Sequence, residues 1–105
     1  MSVVEKAEEL RRALKTSAEY EDLKAAEKEI EADEQASQIL DEWQTIQHQI
    51  HQSQNQGRSV PPKLKQRFNE LKAKMGQNEK VNAYRQAQRE FNQVMEQVNQ
   101  TLAST

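Results

Sequence analysis

Apolar side chains recur along this chain at steps of three and four residues, the rhythm that puts them on one face of an α-helix. Five such stripes can be read. The first uses Val4, Ala7, Leu10 and Leu14; the second Tyr20, Leu23 and Ile30 with Ala26 alongside. The third uses Ala36, Ile39, Leu40, Trp43, Ile46 and Ile50, and the fourth Leu64, Phe68, Leu71 and Met75. The fifth uses Val81, Tyr84, Phe91, Val94, Met95, Val98 and Leu102. These patterns predict helices over about 3–15, 17–31, 34–56, 62–75 and 79–102. In the last one, positions 84, 88, 91, 95, 98 and 102 alternate steps of four and three, and only Gln88 among them is polar. That is a narrow seam of the kind found in bundles and short coiled coils.

Punctuation supports these boundaries. Ser2 with Glu5, and Thr16 with Glu19, have the S-x-x-E form of a helix start, in which the hydroxyl accepts one of the unpaired first-turn amides. Asp33 and Asn78 are further N-cap candidates, although nothing at Asp33 forbids one continuous helix. Pro61-Pro62 suits a first turn, where a missing N–H is no loss. Gly57 and Gly76 each stand where a left-handed residue would end a helix. The fold class expected is all-α: an elongated antiparallel helical bundle of about five helices, two of them long, forming a single domain over 1–105 and completed by dimerisation.

Dimerisation enters through composition. Leu, Ile, Val and Phe together account for 19 of 105 residues, close to the level at which chains stop folding alone. The net charge is only -2, so the other half of the disorder signature is missing. A small domain with so few large apolar side chains buries little surface, and a second copy or a partner is expected to complete its core. No apolar run approaches the roughly 18 residues of a membrane span. The N-terminus lacks the apolar segment of a signal peptide, and the absence of cysteine agrees with a cytoplasmic location.

Charge is segregated. Residues 1–34 carry six basic and eleven acidic side chains, and residues 58–90 carry nine basic and three acidic. Lys63, Lys65, Arg67, Lys72 and Lys74 lie off the apolar stripe of the fourth helix and form a candidate face for an acidic partner. RNA is the alternative ligand for that face. An acidic overall balance, with a pI near 5.7, and the lack of a recognisable nucleic-acid module argue against it.

Candidate chemistry is sparse. Without cysteine there are no disulfides, zinc-thiolate sites or cysteine-held clusters. His48 and His51 stand three apart on the third helix, but two histidines make a poor metal site and no H-E-x-x-H pattern accompanies them. No Gly-rich phosphate loop and no nucleophile elbow occur. The expectation is a protein that is not an enzyme and needs no cofactor or metal.

Several segments carry a resemblance. Ala7-x-x-Leu10-x-x-Ala13-Leu14-Lys15-x-Ser17-x-Glu19-Tyr20-x-x-Leu23-Lys24-x-Ala26 is followed by Ile30-x-Ala32-Asp33-x-x-Ala36. Near the end stands Glu90-Phe91-Asn92-x-x-Met95-x-x-Val98-Asn99. With the Gln-rich stretch that ends at Gly57, these elements resemble the YlbF/YmcA family of small helical proteins over nearly the whole chain. The resemblance implies an oligomeric regulator whose partners are itself, other family members or an endoribonuclease complex. It implies roles in RNA processing, biofilm formation, competence or sporulation. The family's regulatory complex is linked to iron-sulfur clusters held by cysteines, which this chain does not have, and that departure points to a paralogue.

In this reading Ser17 and Asp33 are caps, and Tyr20, Leu23, Ile30, Phe91 and Val98 are stripe residues. The interface with a second copy or a partner is expected to use Trp43, Ile46, Ile50, Tyr84, Phe91, Met95 and Val98. Asn92 and Asn99, seven apart beside the last seam, are candidates for polar residues that set register across helices.

Overall fold

A computed structural model describes residues 2–104. They form five helices: α1 (Val3–Lys15), α2 (Ala18–Glu31), α3 (Glu34–Asn55), α4 (Pro62–Gln77) and α5 (Glu79–Ala103). No strand occurs among the described residues.

The helix starts follow from local hydrogen bonds. Ser2 is extended and its hydroxyl accepts the Glu5 N–H at 3.1 Å. Asp33 does break the chain: it is extended, and its carboxylate accepts the Ala36 N–H at 3.0 Å. Asn78 repeats this with the Val81 N–H at 3.0 Å. The α2 start is shifted from the Thr16 box. Thr16 still closes the last turn of α1, its N–H bonded to the Arg12 carbonyl and its hydroxyl donating to Arg12 and Ala13. Ser17 is the cap instead, accepting the Tyr20 N–H at 3.2 Å and donating to the Leu14 carbonyl at 2.6 Å.

The two glycines behave differently. Gly57 has φ +69, and the Arg58 and Gly57 N–H groups return to the Ser53 and Gln54 carbonyls, the paired closure that a left-handed residue allows. Gly76, expected to end a helix, lies inside α4, which runs on to Gln77. A glycine weakens a helix by roughly 1 kcal/mol without forcing a stop. The stop is Asn78, extended at φ -100, ψ 113.

The chain groups into two compact units, Glu29–Asn82 and Met1–Lys28 with Ala83–Thr105. In the Glu29–Asn82 unit, α3 packs on α4. Thr45 and Gln49 face Arg67–Lys74, while Gln52 and Gln56 face Pro61–Arg67, so the pair is antiparallel. Ala36, Ile39 and Ile46 of α3 and Leu71 and Met75 of α4 are buried in this unit, as are Ile30 and Val81. Met75 and Val81 are the largest side chains that are fully enclosed. Toward the α3–α4 turn the seam opens: Ile50, Val60, Leu64 and Phe68 are only half-buried. At the other end Lys80 lies 3.2 Å from Asp33 and 3.8 Å from Glu29.

The other unit has a slight core. Its buried apolar residues are two alanines, Ala26 and Ala87. Tyr20 of α2 meets Phe91 of α5 with ring centroids 5.7 Å apart, tilted by 58°. Lys24 sits over the Tyr20 ring and pairs with Glu27 at 3.2 Å. No residue of α1 is buried.

Candidate functional site

With no enclosed polar chemistry to follow, the sites to consider are helix faces. The residues expected at an interface fall into two groups. Trp43, Ile46 and Ile50 belong to α3. Ile46 is buried, whereas Trp43 and Ile50 are half-buried. Trp43 stacks on Phe68 of α4, with centroids 5.0 Å apart and planes 30° apart. Tyr84, Phe91, Met95 and Val98 belong to α5 and are all half-buried. Sequence reasoning did not pair Trp43 with Phe68 or Tyr20 with Phe91. Both contacts join rings on different helices, and spacing along one helix carries no signal for them.

Asn92 and Asn99 are exposed beside that α5 stripe. The stripe stays half-open along its length and ends at Leu102, which is 67% exposed. At the other terminus Val3 and Val4 are 87% and 71% exposed, and Leu10 and Leu14 are half-buried. The terminal helices therefore keep much of their apolar surface in water, and burying one such side chain fully is worth about 1.5–3 kcal/mol.

The five basic residues singled out on α4, Lys63, Lys65, Arg67, Lys72 and Lys74, are all exposed. Among the described residues none of them forms an ion pair, while Lys6, Arg11, Lys24 and Lys80 do. Lys72 lies over the Phe68 ring, 5.7 Å from its centroid.

The histidines His48 and His51 are exposed and line a shallow cleft with Ile50 and Phe68. No group of three or more potential ligands gathers among the described residues. The donor set does not fit a cysteine-ligated cluster, since the chain has no cysteine. No helix among the described residues is long and apolar enough to cross a membrane.

Comparison with known proteins places these faces in context. The chain is 34% identical over 101 residues to a UPF0342 protein of Desulfitobacterium hafniense, covering 96% of this chain and 77% of that one. It is 28% identical over 96 residues to a UPF0342 protein of Staphylococcus aureus, covering 91% and 84%. The fold matches a Bacillus stearothermophilus protein of unknown function (DUF964) with a TM-score of 0.85 at 23% identity, over 95% of this chain and 88% of that one. It also matches Bacillus subtilis RicA, solved in complex with RicF, with a TM-score of 0.73 at 21% identity, over 97% and 90%. Residues 3–105 match the model of the family described as control of competence regulator ComK, YlbF/YmcA. The chain belongs to the YlbF/YmcA family.

Proposed function

We propose that this protein is a non-enzymatic regulatory adaptor of the cytoplasm that works by pairing with a second copy of itself and by binding other helical proteins. Its processes, on this reading, are those implied by the family: RNA processing, biofilm formation, competence or sporulation. The observation that carries it is α1, a thirteen-residue helix with no buried residue. An isolated helix of that length is marginal in water, so its apolar stripe needs a surface to lie on. The half-open α5 stripe from Phe91 to Val98 is the second exposed apolar surface. The structure of RicA, a protein of this fold, was solved in complex with RicF, which supports helix faces of this kind as protein-binding surfaces.

Light scattering at micromolar concentration tests the proposal. A particle of twice the chain mass is expected. Leu14→Asp places a charge in the α1 stripe and should return the protein to single chains with its helix content largely kept. A well-folded protein that stays monomeric throughout would remove the adaptor reading.

A further inference from the structure

The distal half of the α3–α4 hairpin carries a charge pattern that the terminal helices do not explain. Residues 58–74 hold six basic side chains and one acidic one, a net of +5, in a chain whose net charge is -2. The remainder therefore carries -7. Elsewhere Lys6, Arg11, Lys24 and Lys80 are matched by carboxylates at 2.9–3.3 Å, while Arg12, Lys15 and Lys28 stand unmatched among the acidic side chains of the first two helices. Arg58, Lys63, Lys65, Arg67, Lys72 and Lys74 have no such match among the described residues.

Their placement is ordered. At 100° per residue, Lys63, Arg67 and Lys74 fall on one flank of the α4 stripe, and Lys65 and Lys72 on the other. Between the flanks lie Leu64 and Phe68, both half-buried because the seam has opened at this end. On one side Lys63 and Arg67 line a cleft whose α3 wall is Gln49, Gln52, Ser53 and Gln56, with no carboxylate in it, while further along α4 Arg67 and Lys74 share a second cleft with Asp41, Glu42 and Glu70. Two packed helices with an open apolar strip leave room for a third. Cations on both margins of that strip ask for a partner with anions on both of its own margins, the logic by which flanking charges choose partners in helical assemblies.

We infer that the open end of the α3–α4 hairpin docks an acidic amphipathic helix of another protein, its apolar stripe against Leu64 and Phe68 and its carboxylates between Lys63 and Arg67 on one side and Lys65 and Lys72 on the other. A bounded acidic segment suits this surface better than RNA. The five cations of α4 span a helix about 24 Å long, and the chain outside residues 58–74 carries a net -7 that disfavours a long polyanion. This surface is built from α3 and α4, whereas the self-pairing proposal rests on α1 and α5.

Trp43 is the only tryptophan in the chain, and it stacks on Phe68 within this surface, so its fluorescence reports occupancy. The probes are a labelled 18-residue helical peptide with a leucine stripe flanked by glutamates, the same peptide with lysines for glutamates, and single-stranded oligouridylate. The acidic peptide is expected to bind the full-length protein with a shift in Trp43 emission. Its affinity should fall about tenfold or more between roughly 50 and 300 mM salt. It should be lost in K63E/R67E and kept in R11E, whose cation is already paired on α1. Light scattering on K63E/R67E separates the two proposals, since self-pairing through the terminal helices should be unchanged. Four results would each overturn the inference: no binding of the acidic peptide at low salt, equal binding of the lysine peptide, tighter binding of oligouridylate, or a loss of self-association in K63E/R67E, which would make a second copy the occupant.

Discussion

At the scale of single residues, Asp33 does two things with one carboxylate. It accepts the Ala36 N–H at the start of α3 and pairs with Lys80 at 3.2 Å. The Ala36 hydrogen bond, followed by the Lys80 hydrogen bond and charge, holds its pKa below the ordinary carboxylate value. A lowered folded-state pKa means that the stabilisation is complete above the unfolded-state value and drains away as pH falls through the folded one. The midpoint of urea unfolding should therefore drop on acidification through and below the usual aspartate range. Asp33→Asn, which keeps a capping oxygen without the charge, should flatten that part of the profile. An identical profile in the variant would assign the acid sensitivity elsewhere. The caps at Ser2, Asp33 and Asn78 were legible in the sequence as short oxygen-bearing side chains two or three residues ahead of an apolar rhythm, although at Asp33 one continuous helix stayed open. At Thr16 and Ser17 two competent caps stand side by side. The choice depends on Thr16 being spent on the last turn of α1, which no spacing rule displays.

At the scale of elements, the two glycines give opposed expectations. A Cβ at either position would meet nothing within 4 Å, so backbone conformation alone decides. Gly57 at φ +69 holds the left-handed turn after α3, and Gly57→Ala should cost about 1–2 kcal/mol. Gly76 is helical within α4, and Gly76→Ala should add about 0.5–1 kcal/mol by favouring the helix. Thermal or urea melts of the two variants should move in opposite directions. Both glycines looked like stops because both end a run of apolar spacing. The sequence holds no sign that α4 has two more residues to give before Asn78. The stripes themselves were readable to within a residue or two. Which parts of them become covered was not, because Leu71 and Met75 are buried while Leu64 and Phe68 on the same stripe are only half so. That difference comes from how far the neighbouring helix follows.

At the scale of the whole molecule, the scarcity of large apolar residues visible in the composition reappears as scarce enclosure. Among the described residues nine hydrophobic ones are buried, and three of them are alanines. Self-pairing would then supply part of the folding free energy, and stability should depend on how much protein is present. The melting temperature should rise by several degrees as concentration is raised from about 1 to about 100 μM. A melt that ignores concentration would mean that the single chain suffices. Membership of the YlbF/YmcA family was legible from residues scattered through the chain, because caps and seam positions constrain each other at fixed offsets. The open basic end of the hairpin was legible only as a count of charges. That its cations go unmatched while Lys6, Arg11, Lys24 and Lys80 find carboxylates depends on side chains from separate turns coming within reach.

The uncovered first helix also decides which helix a protease opens first. Trypsin needs a short stretch of chain to loosen before it can cut, and segments with few enclosed side chains loosen most readily. Lys6, Arg11, Arg12 and Lys15 all lie on α1. In dilute solution these should be the first helical bonds clipped, trimming the N-terminus, while Arg58 in the α3–α4 turn is open to cutting from the start. A bound companion over the α1 stripe would hide the α1 bonds, so the lifetime of the uncut first helix in a digest becomes a measure of how often that helix is covered.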